Sequence, residues 1–93
     1  MDTAGIVALV TERESTHGEF NQTATIVQSL SQALYRHSGS TAFTPPQQHA
    51  IDMIIVKLAR IVAGDRYHED HWRDIAGYAT LVANGLERMP RRV

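Results

Sequence analysis

Apolar residues recur along this chain at helical intervals. Phe20, Ala24, Val27, Leu30 and Leu34 follow the i, i+4, i+7 rule of one helix face, widened by Ile26 and Ala33, and predict a helix over about 20–37. Upstream, Ile6, Val7, Leu9 and Val10 form the apolar part of a helix over about 2–15, with Asp2 or Thr3 as cap and Gly18 as its break. The β-branched run IVALV at 6–10 is the one place where a strand competes. Ser, Gly and Pro make 38–46 a loop that ends in a helix start: Thr44 as cap, Pro45 in the first turn, and Gln47 three residues after Thr44 as in a capping box. The third helix runs over about 45–62 and stops at Gly64. The fourth runs over about 69–88 and ends before Pro90, with Asp65, Glu69 and Asp70 suited to its positive N-terminal end. No stretch alternates long enough to predict a strand. The expectation is an all-α fold: one domain over 1–93, a small antiparallel bundle of three to four helices, with a basic tail at 88–93.

The third helix is apolar nearly all round. In IDMIIVKLARIVA only Asp52, Lys57 and Arg60 are charged; Ile51, Ile54, Ile55, Leu58, Ile61 and Val62 form one stripe, and Met53 and Val56 are apolar elsewhere. Such a helix is covered on more than one side. In a domain this small the second cover is expected to be another subunit, most simply in a symmetric dimer; the plainer alternative is a central helix within one bundle. On the fourth helix Trp72, Ile75, Ala79, Val82 and Leu86 read as the core face. Asp70, Asp74, Gly77, Tyr78 and Leu81 make a polar face with a small residue in its middle. Gly in a helix interior costs about 1 kcal/mol relative to Ala, so Gly77 suggests close approach by a neighbouring helix or a ligand.

Composition narrows the classes of function. A chain of 93 residues has a core too small for a deep private active site. A formal charge of −1 disfavours general nucleic-acid binding, and the basic residues Arg88, Arg91 and Arg92 read first as a solvated tail. No cysteine is present, which removes disulfides, thiolate zinc sites and cysteine nucleophiles and fits a reducing cytoplasm. The N-terminal stretch has no basic n-region, and no run approaches the roughly 20 apolar residues of a membrane span.

The candidate chemistry lies in KLARIVAGDRYHEDHWRDIAGYATL, residues 57–81. Met53, Lys57 and Arg60 share a face of the third helix. Lys57, the only lysine, sits amid aliphatics and should either snorkel outward or meet a carboxylate, with Asp70 and Asp74 across the short loop as partners. One reading is a Lys–Asp pair tying two helices together. The other is a polar pocket in which Lys57, Arg60 and Tyr78 contact a phosphate ligand. Asp70 and Asp74, at i and i+4, would then share a hard cation such as magnesium. His68 and His71 with Asp70 and Asp74 offer a transition-metal alternative, but a closed zinc site takes four ligands and nothing else here has ligand spacing. His17 and His49 read as loop and cap residues. No Gly-rich phosphate loop and no nucleophile elbow occurs.

Three segments together, ERESTHGEF at 12–20, MIIVKLARI at 53–61 and DHWRDIAGYATL at 70–81, resemble a family of small uncharacterised phage and prophage proteins. That family has a Tyr/His-Gly-acid motif, then a Lys-x-x-Arg helix, then Asp-x-x-x-Asp-x-x-Gly-Tyr. The same order is similar to the nucleotide-modification-associated domain of phages and, more distantly, to the MazG-like all-α nucleoside triphosphate pyrophosphohydrolases. The resemblance implies a helical bundle that binds magnesium through acids on two helices. The metal holds a triphosphate while water attacks and pyrophosphate leaves. It assigns Asp70 and Asp74 to the metal and Lys57 and Arg60 to phosphate. The enzymes also carry Glu-x-x-Glu on a preceding helix, where this chain has only Asp52; Glu12, Glu14 and Glu19 are the acids of its N-terminal region.

The function expected is therefore binding of a nucleotide or related phosphate ligand, with magnesium-dependent hydrolysis as its extension. The rival is a non-enzymatic phage accessory protein that binds a host defence or replication protein. A third reading, a nucleic-acid binder working through the basic tail, predicts affinity that collapses with salt and with loss of 88–93.

Overall fold

Thr44 opens the central helix as its sequence indicates. Its hydroxyl accepts the Gln47 N–H, the Gln47 side chain accepts the Thr44 N–H, and Pro45 supplies a first turn that needs no donor. The computed structural model describes residues 3–39 and 42–89 and contains four helices in order: α1 (Thr3–His17), α2 (Phe20–Arg36), α3 (Pro45–Ala63) and α4 (Glu69–Glu87). No strand occurs among the described residues, and the IVALV run is helical. The proposed cap at Asp2, the stop at Pro90 and Arg91–Arg92 of the tail lie outside the described residues. At the start of α2 the Glu19 carboxylate accepts the N–H groups of Asn21 and Gln22. Those two bonds hold the Glu19 carboxyl below its usual range.

α3 is the middle of a layer, with α4 packed on one side and α2 on the other. Its buried residues form two stripes. Ala50, Lys57 and Ile61 face α4, and Ile55 and Ala59 lie on the opposite side, towards α2. On the α2 side, Tyr35 donates to Asp52 at 2.5 Å and receives Gln48 Nε2–H. The two covers of this apolar helix are thus both supplied by its own chain. The stripe expected from the sequence is rotated: Leu58 and Val62 are exposed, and their places are taken by Ala50, Lys57 and Ala59.

The inward stripe of α4 is likewise displaced. His71, Asp74, Ile75, Tyr78 and Val82 are the turned-in residues, whereas Trp72, Ala79 and Leu86 are exposed. The physical reason is that α4 must supply partners for two polar groups, the Lys57 ammonium and the Thr16 carbonyl, so it rolls its polar edge inward. Gly77 meets no close neighbour: a Cβ there would stand in open space.

α1 touches the layer near its C-terminus, against the end of α3 and, through Thr16 and His17, against His71 of α4. The chain is accordingly long, 59 × 29 × 26 Å, with a radius of gyration of 16.5 Å against about 12 Å for a compact domain of this length. No described helix is long and apolar enough to cross a membrane.

Candidate functional site

Two turns meet end to end at the close of α3. The α1–α2 turn is built on Gly18, whose φ of 84° is in the left-handed region that glycine adopts without penalty. The loop after α3 begins with Gly64, the residue against which the α1–α2 turn lies backbone to backbone. The Thr16 carbonyl joins them: it accepts the Asp65 N–H at 3.0 Å and the His71 Nε2–H at 2.8 Å. Since a carbonyl only accepts, His71 carries a proton on Nε2. The loop is stapled further by the Tyr67 N–H to the Asp65 carboxylate at 2.9 Å and by Trp72 Nε1–H to the Arg66 carbonyl at 2.8 Å.

Around this knot the rings of His17, His68 and His71 gather. Their centroids are 4.6 Å apart for His68 and His71, 5.0 Å for His17 and His71, and 6.2 Å for His17 and His68. His71 is fully enclosed at 1% exposure. His17 is half-buried, and its Nδ1 pairs with Thr16 Oγ1 at 2.5 Å. Burial first, then the positive fields of Arg60, His71 and Arg13, lower the pKa of His17 below 6.5. His68 is the N-cap of α4 and His71 lies in its first turn, while His17 closes α1 rather than lying in a loop; all three pack into the junction. Among the described residues no three histidine or carboxylate groups are placed to hold a metal ion.

Lys57 Nζ meets Asp74 Oδ2 at 2.8 Å, with the lysine nearly buried and the carboxylate half-exposed. The Lys57 hydrogen bond, aided by its charge and those of His71 and Arg60, holds the Asp74 carboxyl below its ordinary value despite partial desolvation. A depressed carboxyl stabilises the fold fully above the ordinary pKa of 3.8, and that contribution is lost as pH falls through the folded value. In Lys57→Met the Asp74 carboxyl is expected to titrate upward, towards 3.8, when followed by NMR. An unchanged titration would show that the pair does not form in solution.

Asp70 lies apart from this clasp. It is exposed, and His68 Nε2 stands 3.8 Å from its carboxylate. Asp70 and Asp74 therefore do not meet in a shared carboxylate set with a third donor among the described residues. Tyr78 is half-buried on α4 with its ring edge-on to His49 at 6.1 Å.

Arg60, one turn beyond Lys57, makes no salt bridge among the described residues, and neither does Arg13. Both line a groove of about 490 Å³ between α1, α2 and α3, together with His17 and the apolar Phe20, Val27 and Val56. Glu14 is the one acid on its wall. Sequence reasoning placed Arg60 among the phosphate contacts. It missed Arg13 and His17, because their partner on α3 is distant in sequence and only the Gly18 turn brings them alongside it. A second, apolar groove of about 400 Å³ lies between the start of α3 and the end of α4, lined by Phe43, Ile51, Ile54, Val82 and Leu86 among others.

Fold and geometry together define a small all-α protein in which the α1–α2 turn and the loop after α3 are locked at a glycine–histidine junction, with two arginines beside it that make no salt bridge among the described residues. The chain belongs to the DUF6378 family: the model of that domain of unknown function matches residues 1–85, which include the whole junction. No curated protein and no solved structure matches the chain.

Proposed function

We propose that this protein is a homo-oligomeric, cytoplasmic, phage-type protein that binds a nucleotide or related phosphate-bearing small molecule in the α1–α2–α3 groove. The observation that carries this reading is the pair of arginines that make no salt bridge among the described residues, Arg13 and Arg60, on one concave surface with apolar walls. Guanidinium groups match phosphate oxygens in a planar, two-pronged geometry. Exposed Phe20 on the same wall offers a ring against which a base stacks. The likeness of the Lys-x-x-Arg and Asp-x-x-x-Asp-x-x-Gly-Tyr motifs to MazG-like proteins supports the ligand class. In this arrangement Lys57 serves as a clasp for Asp74, and the phosphate contacts pass from Lys57 and Tyr78 to Arg13 with Arg60. The carboxylates that a magnesium-dependent hydrolysis needs do not come together among the described residues, so the activity proposed is binding. Hydrolysis is the further outcome that pyrophosphate release would add.

Incubation with a panel of nucleoside mono-, di- and triphosphates, with and without magnesium, tests this by ligand-induced thermal shift and calorimetry. Arg60→Ala is expected to weaken binding at least tenfold, as befits a lost charge-assisted bond of about 1.5–3 kcal/mol, with the melting temperature little changed. No shift with any nucleotide, or equal affinity in Arg60→Ala, would remove the proposal.

A second reading, a non-enzymatic protein that acts on a host protein, is favoured by the aromatic pair Tyr67 and Trp72, both exposed on and beside the α3–α4 loop. Exposed Tyr and Trp are typical anchors of protein interfaces. A host protein retained by the wild-type chain and lost with Trp72→Ala would favour it over the nucleotide reading.

A further inference from the structure

The apolar half of α1 stands away from the layer. Residues 3–15 are all exposed, and Ile6, Val7, Leu9 and Val10 keep 43%, 60%, 58% and 49% of their surface open. A free helix of this length is marginal in water even when rich in alanine, and this one contains Gly5 and three β-branched residues between 6 and 10. Its apolar residues surround the helix rather than forming one stripe, so it calls for cover on more than one side.

The whole surface shows the same deficit. The chain exposes 7344 Å², whereas a folded monomer of 10.4 kDa is expected to expose about 5,400 Å². The excess, about 1,900 Å², is more than the roughly 800 Å² each partner loses in a standard interface and falls in the range of obligate homodimers.

We infer that a second copy of this chain covers α1, the two α1 helices pairing antiparallel across a two-fold axis that passes near Ala8. This rests on the homo-oligomer reading above and names its surface. A two-fold contact uses the same patch on both chains, and Val7, Ala8 and Thr11, at i, i+1 and i+4, lie together on one side of α1. Charge sets the direction. α1 continues into Glu12, Arg13 and Glu14. Parallel pairing would bring these acids against their own copies and align the helix dipoles unfavourably. Antiparallel pairing about Ala8 sends them to opposite ends of the contact. Charge also selects against a membrane surface as the cover, since the apolar segment is followed by these acids and has no run of Lys or Arg beside it. Val10, Arg13 and His17 line the Arg13–Arg60 groove from the other side of α1, so a contact through Val7 and Ala8 leaves it open.

The absence of cysteine makes the test direct. The full chain is expected to run as a dimer in light scattering, and Val7→Glu to run as a monomer with its helical circular dichroism largely kept. Under mild oxidation Ala8→Cys is expected to give a covalent dimer in high yield, and Asn84→Cys, on the far end of α4, to give only a background yield. A wild-type monomer would overturn both this pairing and the homo-oligomer reading. A dimer that survives Val7→Glu and gives no more cross-link at position 8 than at 84 overturns the α1 pairing alone, leaving the oligomer to form elsewhere. If Val7→Glu fails to fold, the position-8 cross-link decides: its presence supports the pairing and its absence refutes it.

Discussion

His71→Ala is expected to cost about 3 kcal/mol and to lower the melting temperature by on the order of 15 °C. Two losses add. The imidazole is enclosed at 1% exposure, so truncating it to a methyl group leaves a cavity among His17, His68 and the end of α1. Large-to-small substitutions at such sites cost about 2–5 kcal/mol. The Nε2–H bond to the Thr16 carbonyl also goes, a further loss of about 1 kcal/mol. It is not larger because the carbonyl keeps the Asp65 N–H. His71→Phe separates the two: it restores most of the volume without the donor and should recover more than half of the loss. Guanidinium or urea unfolding of the three proteins measures this. Equal stability of His71→Ala and wild type would mean that the ring does not hold α1 to α4.

The helices were legible because backbone chemistry announces them. Thr44-Pro45-x-Gln47, the left-handed Gly18 and the stop at Gly64 are local signals, and each sits where the structure uses it. Helix rotation was less legible. Hydropathy assigned Trp72, Ala79 and Leu86 to the core of α4, but the inward edge is set by Lys57 and by the Thr16 carbonyl, two polar groups that demand Asp74 and His71. A pattern of apolar residues carries no information about a polar pair between helices, because each group is satisfied by a residue on a different helix. The same limit hid the junction. His17 and His71 are far apart in sequence and touch only because two glycines let two turns interlock. One signal was available: the single lysine amid aliphatics was expected to snorkel outward or meet a carboxylate, and Asp74 rather than Asp70 supplies it. Once Asp74 faces inward, helical spacing turns His71, three residues earlier, inward as well.

Gly64→Ala is expected to destabilise the chain by about 3 kcal/mol, although alanine is ordinarily the better-behaved residue. A Cβ at this position would stand 2.6 Å from the Gly18 nitrogen and 2.7 Å from the His17 carbonyl carbon, and closer still to the Thr16 carbonyl oxygen. All three are backbone atoms, so no rotamer change relieves the clash; one turn must move away from the other. Separation stretches the Asp65 N–H and His71 Nε2–H bonds to Thr16, and the cost exceeds that of a single overpacked side chain. Gly77→Ala is the control. Its Cβ meets nothing within 4 Å, and in a helix interior alanine is favoured over glycine by about 1 kcal/mol. The two substitutions are chemically identical and should move the melting temperature in opposite directions. Because the Arg13–Arg60 groove is bounded by α1 and α3, which meet at this junction, Gly64→Ala should also weaken phosphate-ligand binding while Gly77→Ala leaves it intact. A stabilised or unaffected Gly64→Ala would show that the two turns do not interlock as described.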